Sequence, residues 1–202
     1  MQEIFQPIIL GTLQGAGEFL PISSTAHLAL APYFFHWKDP GLSFDVALHL
    51  GTLIAVVGFF WKDWIEIFKI TLENLSQKSK VKSQNYGDNI LYFLIIATIP
   101  GVLTGYFLEK DAETVFRNPL LIALALAVAG LILYLADRYA KQEQGMERIN
   151  LKKSLVIGLS QAVAIIPGIS RSGATITAGL FVGLDRKSAA RFSFLLSTPI
   201  IF

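Results

Sequence analysis

Cysteine is absent from the 202 residues, which excludes disulfides and thiolate-bound metal. Charge is scarce: Asp, Glu, Lys and Arg make up 16% of the chain, where a soluble domain carries about a quarter. No Walker loop, dinucleotide fingerprint, HExxH helix or Cys/His metal signature is present, so a soluble-type cofactor site has no support. The N-terminal Met-Gln-Glu lacks the basic n-region of a cleaved signal peptide, and no small-residue cleavage site follows early. What is abundant is apolar sequence: 53% of the residues are hydrophobic and the mean hydropathy is +0.54. These proportions read as a polytopic membrane protein. The net charge of +2 says little about partners, because the charges are grouped in loops.

Segments 4–20 and 23–35 are short of the about 20 residues that span a bilayer, and the Pro21 break joins them without a polar loop. A re-entrant helical hairpin is the expectation. A wet link, 36–41, follows, with aromatics suited to an interface. Segment 42–61 is long enough to span. The charged stretch 62–89 overlaps a helix, 61–75, that places Trp64, Ile65, Phe68 and Leu72 near one face, as on a membrane surface. Segments 90–108, bent at Pro100-Gly101, and 119–136 are clean spans around a polar loop at 109–118. After a second polar loop at 137–153, segments 154–166 and 173–184 repeat the pattern of two short apolar stretches around a Pro-Gly break. The last run, 192–202, is apolar and too short to span, from which we expect a truncated chain.

Lys and Arg number five in 62–89, two in 109–118, five in 137–153 and three in 185–191. The positive-inside rule puts the first, third and fourth in the cytoplasm and 109–118 outside. The link 36–41 and the N-terminus then lie outside, and the two hairpins enter from opposite faces. A shift of 147 residues aligns Gly11 with Gly158, Gln14 with Gln161, Ile22-Ser23 with Ile169-Ser170, Thr25 with Ser172 and Ala26 with Gly173. The expected fold is an all-α polytopic integral membrane protein with inverted repeats, each containing a re-entrant helical hairpin. It forms a single transmembrane domain, 1–202, divided at 1–89 and 90–202, with the site at the repeat interface.

Arg171 is the most informative residue. A guanidinium at membrane depth is costly unless paired, and its fork suits two phosphate oxygens at once. Ser170, Ser172 and Thr175 offer hydroxyls beside it, Gly168 and Gly173 let a backbone approach a ligand, and a helix starting here favours an anion. The plainer reading is that Arg171 pairs with Glu18 as structural glue. On the other hairpin, Ser24 and His27 share a helix face, so that imidazole can take a proton from a hydroxyl or a water. Ser23 or Ser24 can equally be an ordinary N-cap. Glu18, with Gln14 one turn earlier, suits a hard divalent cation completed by phosphate oxygens. Asp45 and His49 share a face as outer lining of the pocket or as a helix–helix polar contact. An anion site with a hydroxyl, an imidazole, a carboxylate and an arginine inside apolar sequence fits a phosphorylated lipid.

Two stretches carry a resemblance. Gln14-Gly-x-x-Glu18-Phe-Leu-Pro-Ile-Ser23-Ser24-Thr-Ala-His27 looks like the (E/Q)GxxE-containing first motif of the bacterial undecaprenyl-diphosphate phosphatases associated with bacitracin resistance. Pro167-Gly-Ile-Ser170-Arg171-Ser172-Gly-Ala-Thr175 looks like their PGxSRSGAT second motif. The resemblance runs along the whole chain. It implies dephosphorylation of the undecaprenyl diphosphate lipid to the monophosphate, which recycles the carrier for peptidoglycan and other wall polymers. It implies a divalent cation, Mg²⁺ or Ca²⁺, and an active site facing outside the bacterial cytoplasmic (inner) membrane. Carried over by position, Glu18 would serve the metal or diphosphate, Ser24 with His27 the phosphoryl chemistry, and Arg171 the diphosphate and the transition-state charge. Ser23, Thr25, Ser170, Ser172 and Thr175 join Arg171 as candidate diphosphate contacts. Position 14 is Gln where some members carry a second Glu, and members continue for several more membrane segments. The expected partners are the bilayer and a polyprenyl diphosphate, with no nucleic acid and with room for a homodimer. A transporter or flippase of a phosphorylated lipid is the alternative, since broken helices are frequent in transporters. A structural or assembly subunit would have little use for Arg171 and Glu18.

Overall fold

In the computed structural model, which describes residues 2–76, 86–113 and 118–202, helix α1 (Gln2–Phe19) turns tightly and returns as α2 (Ser24–Phe35). Pro21 sits in the turn, where its missing N–H costs no helix bond. Gly17 admits the returning chain, since a Cβ there would lie 2.9 Å from Ser24 Cα. α3 (Leu42–Phe59) and α4 (Trp61–Leu75) meet at Phe60 with a bend of 66°. α4 carries three stripes: exposed Trp61, Ile65, Phe68, Leu72 and Leu75, buried Asp63, Ile67 and Ile70, and the charged series Lys62, Glu66, Lys69 and Glu73. Such a helix suits the boundary between protein, hydrocarbon and water. Trp64, expected on the exposed face, is half-buried.

α5 (Ile90–Glu113) and α6 (Pro119–Tyr139) are long and apolar enough to cross a bilayer, with mean hydropathies of 1.9 over Ile90–Leu108 and 2.5 over α6. The α3–α4 pair is a third candidate if the bent pair counts as one span. α5 continues through Pro100 as one helix. α7 (Leu151–Val163) packs along α5, and the two backbones close up at Gly158, where a Cβ would lie 2.7 Å from Ala97 O. Across that seam Ser154 Oγ donates to Phe93 O, and Gln161 Nε2 donates to Ala97 O at 3.4 Å. Small residues with a few polar links are how helices associate in lipid, where apolar packing alone gives no advantage over lipid tails.

α8 (Arg171–Phe181) and α9 (Arg186–Ile201) complete the described helices. α9 packs on α3, α5 and α8, and its Phe192, Leu195 and Leu196 are completely buried. The expectation of a basic loop at 185–191 is therefore corrected, and the apolar run that follows continues the same helix. Asp185 caps the helix, accepting from Ser188 N at 2.7 Å, so 186–191 forms its first turns. The reason lies in composition: Ser and Ala suit a surface enclosed by other helices, and they dilute the hydropathy that marks a lipid-facing span.

Polar residues from several segments converge on the start of α9. Arg186 pairs with Asp137 at the end of α6 (2.5 and 2.9 Å). Arg191 pairs with Asp63 at the start of α4, and Tyr86 Oη donates to the same carboxylate. Gln144 bridges to Gly183 and Asp185 through backbone hydrogen bonds. Asp63 and Tyr86 from 62–89, and Asp137 and Gln144 from 137–153, thus meet the start of α9. Residues 77–85 and 114–117, parts of the expected polar loops, lie outside the described residues. The fold is that of an all-α membrane protein.

Candidate active site

Two chain breaks meet between α1–α2 and α7–α8. In the first, Ser23 has φ 65° and ψ 91°, a conformation that costs a non-glycine residue energy. In the second, Gly168 takes the positive φ (101°), and a Cβ there would lie 2.5 Å from Ile122 O. Ser170 is left in ordinary extended backbone. Both serines cap the helix that follows: Ser23 Oγ accepts from Ala26 N at 3.4 Å and Ser170 Oγ from Gly173 N at 3.1 Å. Each also meets the hydroxyl two residues on, Thr25 at 3.3 Å and Ser172 at 3.1 Å. The shift of 147 residues that aligns the sequences therefore relates the caps, their donors and their neighbours.

Between the tips, Arg171 Nη2 donates to Glu18 Oε1, with the two side chains 16% and 10% exposed. Arg171 Nη1 donates to Ser193 O at 3.2 Å. Glu18 Oε2 accepts from Ser24 Oγ at 2.9 Å and from Gln14 Nε2 at 3.2 Å. Two charges this far from solvent are tolerable only when paired and fully hydrogen-bonded, and here every carboxylate oxygen has a donor.

A cavity of about 610 Å³ opens in front of the pair. Glu18, Ser24, Ser170 and Arg171 form its polar end, Asp39, Asp45 and His49 reach it from the 36–41 link and α3, and isoleucines of α6, the second break and α9 supply apolar wall. Ser23, Thr25 and Ser172 line it as well. Three expected residues do not. Gln14 lies behind Glu18, His27 Nδ1 donates to Ser23 O at 2.8 Å, and Thr175 is turned into the α8–α9 seam. Ser24 and His27 do share a face of α2, yet Ser24 reaches back across the turn to Glu18 instead of meeting the imidazole. His49 Nδ1 likewise donates to the carbonyl of Asp45 at 2.7 Å.

Ser193, which touches Arg171, carries no sequence signal, being one serine in an apolar run. For a divalent cation the donors are few: among the described residues no three of His, Asp or Glu come together to hold a metal. Gln14 Oε1, however, is buried without a hydrogen-bond partner, an oxygen that fits a cation beside Glu18.

The sequence model described as bacitracin resistance protein BacA matches residues 7–202. The chain belongs to this family. It is 55% identical over 198 residues to a protein of Moorella thermoacetica named undecaprenyl-diphosphatase, covering 98% of this chain and 73% of that protein. A protein of the same name from Pelotomaculum thermopropionicum is 54% identical over 198 residues, covering 98% and 72%. Another from Gemmatimonas aurantiaca is 46% identical over 197 residues, covering 98% and 73%.

Proposed function

We propose that the chain hydrolyses undecaprenyl diphosphate to undecaprenyl phosphate and inorganic phosphate, the activity for which its relatives are named. The observation that carries this reading is the cluster of a hydroxyl, a carboxylate and a guanidinium, Ser24, Glu18 and Arg171, at one end of a cavity that also has apolar wall. In this reading the diphosphate takes Arg171 from Glu18. The freed carboxylate then accepts the Ser24 proton as Oγ attacks the terminal phosphorus and the bond to the bridging oxygen breaks. Arg171 holds the charge that grows on the leaving polyprenyl phosphate. Water then hydrolyses the phosphoseryl group, releasing phosphate and returning the hydroxyl. Glu18 takes the role of base that spacing alone offered to His27, because Glu18 holds the Ser24 hydroxyl.

The hydroxyls of Ser23, Thr25, Ser170 and Ser172 face the same cavity and suit the non-bridging phosphate oxygens. A divalent cation, Mg²⁺ or Ca²⁺, would be held by Glu18 and Gln14 Oε1, where it would supply charge neutralisation beside the diphosphate. The apolar walls suit the first isoprene units of the tail.

We place the chain in the bacterial cytoplasmic membrane with the site facing outside. The cavity includes Asp39 of the 36–41 link, and Asp63 lies at the opposite end of α3 from Asp45. The Lys- and Arg-rich segments 62–89, 137–153 and 185–191 are cytoplasmic by the positive-inside rule, which puts Asp63 and its partner Arg191 inside and turns the cavity outward. The matching caps of the two breaks support inverted repeats at 1–89 and 90–202. The reading calls on no nucleic acid and no second copy of the chain.

A transporter of the same lipid would need the anion site but not a serine hydroxyl bonded to a carboxylate. Phosphate release from polyprenyl diphosphate by the purified protein in detergent separates the two, because no transport occurs there. Release of inorganic phosphate supports the enzyme, and tight lipid binding without release supports the transporter.

A further inference from the structure

Arg171 is fastened to a helix that no motif marks. Its Nη1 donates to Ser193 O on α9 at 3.2 Å, and its own carbonyl accepts from Thr175 Oγ1 at 2.9 Å. Thr175 Oγ1 also lies 2.7 Å from Ser193 Oγ. Ser193 is 0% exposed and Thr175 1%, and neither lines the cavity, so these hydroxyls serve each other and not a ligand. Packing alone does not ask for them. Elsewhere in the same seam the helices close by apolar small-on-small contact, a Cβ on Gly179 lying 2.9 Å from Ala189 Cβ. What the hydroxyl pair adds is a fixed register between the turn of α8 that carries Arg171 and the turn of α9 that offers the Ser193 carbonyl.

We propose that Ser193, through its hydrogen bond to Thr175, is a positioning residue that keeps Nη1 of Arg171 on the α9 carbonyl while the Nη2 side exchanges Glu18 for a phosphate oxygen. The proposal rests on the phosphatase reading for its substrate. Half of the fork is held before the ligand arrives, so less side-chain freedom is lost on binding, and the free half points at one place. Without the hydroxyl link the Ser193 turn can slide, and an arginine bonded at 3.2 Å loses its anchor with a shift of well under 1 Å, given a hydrogen-bond limit of about 3.5 Å. Ser193 acts on the reaction only through Arg171.

The test uses the full-length protein in detergent, with phosphate release from polyprenyl diphosphate and, separately, binding of methylene diphosphonate, which needs no turnover. Ser193→Ala is expected to lower kcat and diphosphonate affinity by about tenfold each, the scale of one well-placed hydrogen bond, with KM moving less than kcat. Thr175→Val should match it, and Thr175→Ser, which restores the hydroxyl, should recover most of that loss. In an Arg171→Lys background Ser193→Ala should cost less than twofold, because lysine has no fork to aim. Diphosphonate binding unchanged by Ser193→Ala, or an equal tenfold loss in the Arg171→Lys background, overturns the proposal. A wild-type protein that binds diphosphonate in a Ser193-dependent way yet releases no phosphate overturns the phosphatase reading and leaves the positioning role standing.

Discussion

Glu18 and Arg171, 153 residues apart in the chain, are bonded to each other across the two helix breaks. Each is the other's reason for being tolerated, since a lone charge at 10% or 16% exposure carries a desolvation cost of several kcal/mol.

Removing one charge should therefore be worse for the fold than removing both. Glu18→Gln or Arg171→Met alone is expected to lower stability by about 3 kcal/mol, and the double substitution by less than either. Thermal unfolding in detergent reads the order. Both single variants should also lose more than about a hundredfold in phosphate release, on the scale of a lost transition-state donor.

Ser23 pays a backbone cost at φ 65° and ψ 91° that its repeat partner Ser170 avoids. Ser23→Gly should relieve about 1 kcal/mol of that strain, more than the few tenths lost with the weak 3.4 Å cap. A higher unfolding temperature than that of Ser23→Ala is the expected result. Strain is concentrated at functional sites, so phosphate release is expected to fall while stability rises.

The far end of α9 offers a purely structural test. Asp63 accepts from Arg191 Nε at 2.8 Å and from Tyr86, and the Arg191 guanidinium lies 5.4 Å from the Tyr86 ring centre. Asp63→Asn should cost about 2 kcal/mol by leaving a partly buried guanidinium uncompensated. Burial, reinforced by the Asp63 carboxylate, pushes the Tyr86 hydroxyl well above the ordinary phenol range. A raised pKa favours the neutral hydroxyl in the folded state, so this contribution is complete below the unfolded phenol value of about 10 and is lost only at higher pH. Stability measured from pH 6 to 9 should be insensitive to Tyr86 ionisation.

Gly158 sets the spacing of α5 and α7. With Ala97 O 2.7 Å from where a Cβ would be, Gly158→Ala should separate the helices and cost about 2 kcal/mol. Gly105, with nothing near its Cβ position, should accept Ala with a gain of about 0.5–1 kcal/mol from helix propensity. Unfolding of the two variants side by side checks both signs.

The breaks, the residues at their tips and the lipid-facing spans are legible in the sequence, because a proline, an arginine and a carboxylate are conspicuous in apolar surroundings. The partnership of Ser24 is not legible. Spacing on α2 puts Ser24 and His27 on one face, but it does not show that the turn brings Glu18 within 2.9 Å while the Ser23 carbonyl takes the imidazole. The place of α9 is hidden for a related reason. Buried Ser193 and Ser197 lower its hydropathy, so a helix with an enclosed face does not read as a membrane-spanning one. Ser193 itself is indistinguishable from any helix serine until α8 is packed against it.

Ser24, held by Glu18 and facing Arg171, carries the phosphoryl transfer in the proposed reaction, and its removal is the decisive test. Phosphate release from undecaprenyl diphosphate is followed for wild type and Ser24→Ala in detergent, with both proteins matched for folding by thermal unfolding. Ser24→Ala is expected to lose more than about a hundredfold in kcat, the scale of removing a nucleophile. Release by Ser24→Ala within a fewfold of wild type would contradict it and leave water, not the serine, as the attacking group.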